Sequence, residues 1–235
     1  LSAALLSLTI LLSSAACSSH VSDSVADVSG KITETSFENP ESHADGVSLP
    51  DGAETMGYVF NVLMAEAQDG KSYNADDAEY FWTAVSDLAG SFGPSCEDAG
   101  VDDSGSVTLP SARVKEFAAA LFASYDGNKK DLPKIPDDCR FVSYNADTDM
   151  YTFSPADLGK GTGFVVSCTP GSNSNYYVTV QLLDTENGNT ALGEYNAVMA
   201  VTTYTRITTP VFAYSVSSFL ISSSEPTSET DTTAA

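Results

Sequence analysis

Between positions 51 and 125 apolar residues recur with a helical period. Met56, Val59, Phe60, Leu63, Met64 and Ala67 fall at i, i+3, i+4, i+7, i+8 and i+11, one stripe of a 3.6-residue helix. Asp51 with Glu54 three places later resembles a capping box ahead of it, and Gly70 marks its end. Ala78, Phe81, Val85 and Leu88 make a second stripe, with Asn74 as the expected N-cap and Gly90 as the stop. Val114, Phe117, Ala118, Leu121, Phe122 and Tyr125 make a third, opened by Pro110 in the first turn and stopped by Gly127. Beyond Gly127 the period falls to two, and strands are expected over 141–145, 151–154, 163–169, 176–183, 195–206 and 211–221. Turn-forming runs separate them: Ala146-Asp147-Thr148-Asp149, Pro170-Gly171-Ser172-Asn173, Asn187-Gly188 and Thr208-Thr209-Pro210. Connections this short join antiparallel neighbours, so the second half reads as a meander. Helices first and strands afterwards predict an α+β domain over 51–221, its three helices packed on a curved antiparallel sheet.

The ends of the chain have a different pattern. Residues 1–16, LSAALLSLTILLSSAA, are apolar and carry no charge. The run is shorter than the ~20 residues a transmembrane helix needs and fits the h-region of a secretory signal. With no Met and no basic residue ahead of it, it is expected to be the interior of a longer leader. From Ser18 to Pro50 the chain is dominated by Ser, Asp, Glu, Thr and Asn, too polar to offset its ordering entropy by burial. It reads as a coiled tether of roughly 30 Å reach. The tail over 222–235, SSSEPTSETDTTAA, has the same character.

The apolar run ends Ser14-Ala15-Ala16-Cys17, which resembles a bacterial lipobox. The resemblance implies cleavage before Cys17, a diacylglycerol on its thiol, and a domain held outside the cell at a membrane by the tether. Ser14 stands where a branched aliphatic residue is usual. Ser14 and Ala16 also satisfy the small-x-small rule of ordinary signal peptidase, so plain secretion, with Cys17 in a disulfide, is the alternative. The order of the folded part is similar to the NTF2-like (cystatin-roll) superfamily, in which an α-hairpin and a third helix precede strands wrapped around the longest helix. Val107-Thr108-Leu109 matches the short early strand of that pattern, and the likeness spans 52–221. Another helix-flanked antiparallel sheet is the alternative fold.

Charge narrows the partners. Lys and Arg total 10 against 32 Asp and Glu, a net charge of -22. A surface this negative repels phosphate backbones, whose binding rests on clustered Lys and Arg, so nucleic acid is excluded as a partner. If Cys17 carries lipid, three cysteines remain. Cys96 and Cys139 both fall in loops beside helix ends and form the candidate disulfide, with Cys139–Cys168 as its rival; Cys168 reads better as a small apolar residue in a strand.

Candidate chemistry is sparse. Both histidines, His20 and His43, fall in the tether, so residues 51–221 hold no His-based nucleophile pair or zinc site. Gly159-Lys160-Gly161-Thr162-Gly163 lacks the glycine and hydroxyl that a phosphate loop needs and reads as a turn before a strand. Asp102-Asp103-Ser104-Gly105 resembles the middle of a calcium loop whose first and twelfth positions, Gly100 and Ser111, carry no carboxylate. No metal or cofactor is expected. Tyrosines crowd the strands, and Tyr176, Tyr195 and Tyr204 with Arg206 are the candidate ligand-binding residues, on a concave sheet that stacks sugars or packs a peptide. The reading is a monomeric, membrane-anchored lipoprotein whose domain binds a protein, glycan or small molecule without catalysis. The alternatives are an NTF2-like enzyme using Asp, Glu or Tyr as acid or base, and a structural or adhesive surface protein.

Overall fold

The computed structural model describes residues 43–222, apart from Asp157, Lys160, Thr185, Thr205, Arg206 and Thr208. The expected leader, Cys17, the first part of the tether and most of the polar tail lie outside the described residues.

The first helix, α1 (Met56–Gln68), buries Met56, Val59, Phe60, Leu63 and Met64 as its stripe requires. Its end follows from Gly70, whose φ of 78° is left-handed. Gly70 N–H reaches the Ala67 carbonyl and Lys71 N–H the Glu66 carbonyl, a Schellman closure. The expected capping box does not form. Thr55 is the N-cap and makes no side-chain cap, because its hydroxyl donates to the distant Val211 carbonyl at 2.8 Å. Helix α2 (Ala78–Phe92) is capped by Asp77 rather than Asn74: Asp77 Oδ1 accepts from Glu79 N at 2.9 Å and Tyr80 N at 3.3 Å. Gly90 does not stop it. A Cβ there would lie 2.6 Å from the Ala156 backbone nitrogen, so this glycine admits a crossing chain inside the helix. Helix α3 (Ser111–Leu121) begins after Pro110 and ends before the last two members of its stripe, since Ala123 N–H turns away to the Val216 carbonyl.

Strands form two antiparallel four-stranded sheets rather than one. Strands β1 (Gly100–Val101), β2 (Val107–Pro110), β3 (Val142–Asn145) and β4 (Met150–Phe153) lie in the order β1-β2-β4-β3. Strands β5 (Gly161–Pro170), β6 (Asn175–Asp184), β7 (Thr190–Val201) and β8 (Tyr214–Ile221) form a meander in sequence order. The strands therefore do not form the single curved sheet that the sequence predicts. The early strand β2 pairs with β4, Val107 opposite Phe153 and Pro110 opposite Met150. With β3 on its other side, β4 is paired on both edges and cannot extend into β5. The mixed-α+β class stands.

Helix α1 packs on β5, β6 and β8, α2 on β2 and β4, and α3 reaches both sheets. Trp82 lies in this core, stacked on Tyr151 at 5.5 Å with its indole N–H on the Pro133 carbonyl. The strands expected over 195–206 and 211–221 stop and resume around a pinned loop. Asp126 is buried and accepts from Thr202 Oγ1, Thr203 N and Thr203 Oγ1; Glu116 accepts from Val211 N and Phe212 N. These carboxylates take the place of a strand ladder. The packed chain also begins ahead of residue 51: Ala44 N–H bonds to the Val165 carbonyl at 2.8 Å, and Val47 and Leu49 pack against the core. His43 thus belongs to the domain, bridged to the edge of β5.

Candidate binding face

Side chains alternate across β5–β8, so one residue of register decides which side of the sheet a tyrosine serves. On β6, Val178, Val180 and Leu182 are buried, and Tyr176 shares their parity. On β7, Tyr195 lies with Ala197 and Met199, buried and stacked on Phe219 at 5.4 Å. Tyr176 meets Tyr214 edge-on at 5.8 Å. Tyr204, beyond β7, is buried with its hydroxyl donating to the Ala112 carbonyl at 2.7 Å, which fastens the loop to α3. Arg206 lies outside the described residues. The three described tyrosines therefore build the core and do not converge on a ligand face.

The opposite parity carries the face. Ser167 and Thr169 of β5, Tyr177 and Thr179 of β6, Asn196 of β7, and Ser218 and Leu220 of β8 line a shallow groove of about 270 Å³. The register sets Tyr177 between Thr169 and Val198, and Asn196 between Thr179 and Leu220. Tyr177 is 50% exposed and Leu220 67%. The Tyr177 ring lies over Gly171, where a Cβ would come within 2.4 Å of Cε2. Thr179 Oγ1 donates to Asn196 Oδ1 at 3.1 Å, which fixes the amide and leaves its NH₂ group free to donate into the groove. The signal was in the sequence, since Tyr177 alternates in step with the polar Thr179 and Gln181, and Tyr176 with the apolar set.

A second cluster joins α1 to α2. Glu66 is 2% exposed, and Lys71 Nζ forms an ion pair with its Oε2 at 2.8 Å. Burial, then the neighbouring Glu66 carboxylate, pushes Asp87 up to about 7. Burial likewise raises the Tyr80 hydroxyl, with Glu66 adding to it.

Cys96, Cys139 and Cys168 are all free thiols, so the bridge expected between Cys96 and Cys139 is not made. Cys96 turns into the core, where burial pushes its thiol up to about 11; Cys139 packs only at the margin of that core. Cys168 sits half-buried on the inward side of β5, opposite Val178. Asp102 is consumed by its own loop, its Oδ1 accepting from Ser104 N, Ser104 Oγ and Ser106 N. Among the described residues no group of three or more His, Cys, Asp or Glu converges as a metal site needs.

Set against models of protein families, curated proteins and solved structures, the chain matches none. No helix among the described residues is long and apolar enough to cross a membrane.

Proposed function

We propose that this protein is an extracytoplasmic lipoprotein, anchored by a lipid on Cys17, whose domain binds a ligand on the open face of the β5–β8 sheet without transforming it. The observation that carries the binding role is the ordered aromatic and polar groove built around Tyr177 and Asn196. The anchoring rests on the sequence alone, on the apolar leader closing at Ala15-Ala16-Cys17 and the polar stretch after it. The NTF2-like reading keeps as support the order of three helices before the meander and the early strand β2; the division of the strands into two sheets counts against it.

Intact-mass measurement of the exported protein tests the anchor. A chain beginning at Cys17 with a diacylglycerol adduct supports it, and Cys17→Ser should then move the protein from the membrane to the soluble fraction. A lipid-free chain beginning elsewhere overturns it.

An acid–base enzyme is the second reading, favoured by the half-buried Asp87 beside buried Glu66, where Asp87 holds its proton towards neutrality. Under that reading Asp87→Asn abolishes a turnover measurable in the wild type, whereas under the first it changes stability alone.

A further inference from the structure

We propose that the groove on the outer face of β5–β8 binds a neutral carbohydrate chain, with Tyr177 as the stacking platform and Asn196 as the central donor. This rests on the binding reading above and names its ligand class. The lining decides the chemistry. Ser167, Thr169, Thr179 and Asn196 offer hydroxyl and amide groups, Tyr177 and Leu220 offer apolar surface, and no lining side chain carries a charge. On the same face Glu194 is engaged by Gln181, whose Nε2 donates to Glu194 Oε2 at 3.0 Å. An anionic ligand would find no cation in the groove and a net charge of -22 around it. A cation would find no lining carboxylate. A sugar ring presents C–H groups on one face and hydroxyls around its edge, the complement of a half-exposed tyrosine surrounded by neutral donors and acceptors.

An extended peptide fits less well. Peptides join sheets by main-chain bonds along a free edge, whereas the centre of this groove is β6 and β7, each already paired on both sides. The platform is also set before any ligand arrives: the Tyr177 ring rests over Gly171, and the Asn196 amide is oriented by Thr179. A shallow groove of about 270 Å³ lies just under the ~300 Å³ at which small-molecule pockets begin, so affinity is expected to be weak and shared along several sugar units.

The test is calorimetric titration of the full chain with cellohexaose, mannohexaose and xylohexaose. The matching monosaccharides run in parallel to separate a free sugar from a polymer as the source. Hexagalacturonate and an acetylated (Thr-Val)₄ peptide serve as the anionic and peptide arms. At least one neutral sugar should bind. Tyr177→Ala should then weaken it about tenfold, and Tyr177→Trp should retain it. Gly171→Ala, at a φ of -109° that alanine accepts, should weaken binding by displacing the ring. Tyr144→Ala, an exposed tyrosine of the other sheet, should change nothing. Absence of binding across the neutral sugars, binding indifferent to Tyr177→Ala, or preference for hexagalacturonate overturns the proposal. Tyr177-dependent binding of the peptide alone overturns the ligand class but leaves the binding domain standing, and a lipid-free Cys17 bears on the anchor without touching either.

Discussion

At the residue scale, the buried Arg113–Glu116 pair and the half-buried Asp87 beside buried Glu66 show two ways in which this fold holds charge. Arg113 is 1% exposed and donates to Glu116 at 2.6 Å, to Asp98 at 3.0 Å and to the Thr209 carbonyl at 3.1 Å. Glu116 in turn holds the amides of Val211 and Phe212, so a single ion pair sets where β8 can begin. Glu116→Ala should cost about 3 kcal/mol in urea unfolding, because it leaves a buried guanidinium short of its partner and two amides unpaired. Glu66 and Asp87 behave differently. Asp87 holds its proton to about 7 in the folded protein but releases it near ~4 when unfolded. Between those values the folded state binds more protons, so the contribution of this group to stability is full below about pH 4 and is lost as pH rises towards 7. Asp87→Asn keeps the shape and removes the titration. The wild-type minus variant difference in urea midpoint should therefore shrink steadily from pH 4 to 7. A difference independent of pH would show that Asp87 ionises freely in the folded protein.

At the element scale, two glycines in helices make opposite predictions. Gly57 in α1 has open space where a Cβ would go and no unusual backbone, so Gly57→Ala should stabilise by about 0.5–1 kcal/mol. Gly90 in α2 faces the Ala156 backbone at 2.6 Å, so Gly90→Ala should destabilise by about 1–3 kcal/mol despite the better helix propensity. Thermal unfolding of the two variants checks the pair. The same contrast shows what a single sequence reveals about elements. Apolar stripes located all three helices, because burial of one helix face is a local pattern. Ends were missed wherever a distant group outcompeted the local one: Thr55 spends its hydroxyl on Val211, and Gly90 makes room for Ala156 instead of closing a helix. Strand alternation was legible too, and extended past Val201 only because the side chains of Asp126 and Glu116, which occupy the backbone there, belong to other parts of the chain. In the candidate site the aromatic enrichment was visible, but the choice of Tyr176 and Tyr195 over Tyr177 and Asn196 turned on parity, one residue of register.

At the scale of the whole molecule, the division into two sheets was beyond local reading, because β2 and β4 are paired across more than a helix of intervening chain. Net charge, by contrast, is fully specified by composition, and its consequence is physical. With 32 acidic and 10 basic side chains, the compact state works against its own repulsion. Salt screens that repulsion, but it also screens attractive pairs, so the sign depends on which attractions are exposed. Lys130–Asp76 and Lys134–Asp137 are both surface pairs of 2.6 Å, worth about 0–1 kcal/mol each and weakened by salt. Arg113–Glu116 is buried and screened far less. Repulsion spread over an excess of 22 negative charges outweighs the loss of two exposed pairs, so added salt should stabilise the fold. Raising NaCl from low concentration should lift Tm by several degrees. Most of the rise should be complete by about 0.2 M, by which point the screening length has fallen under about 10 Å and separated surface carboxylates barely sense one another. A Tm that falls with NaCl over that range would mean that exposed ion pairs, rather than self-repulsion, govern the electrostatic balance of this domain.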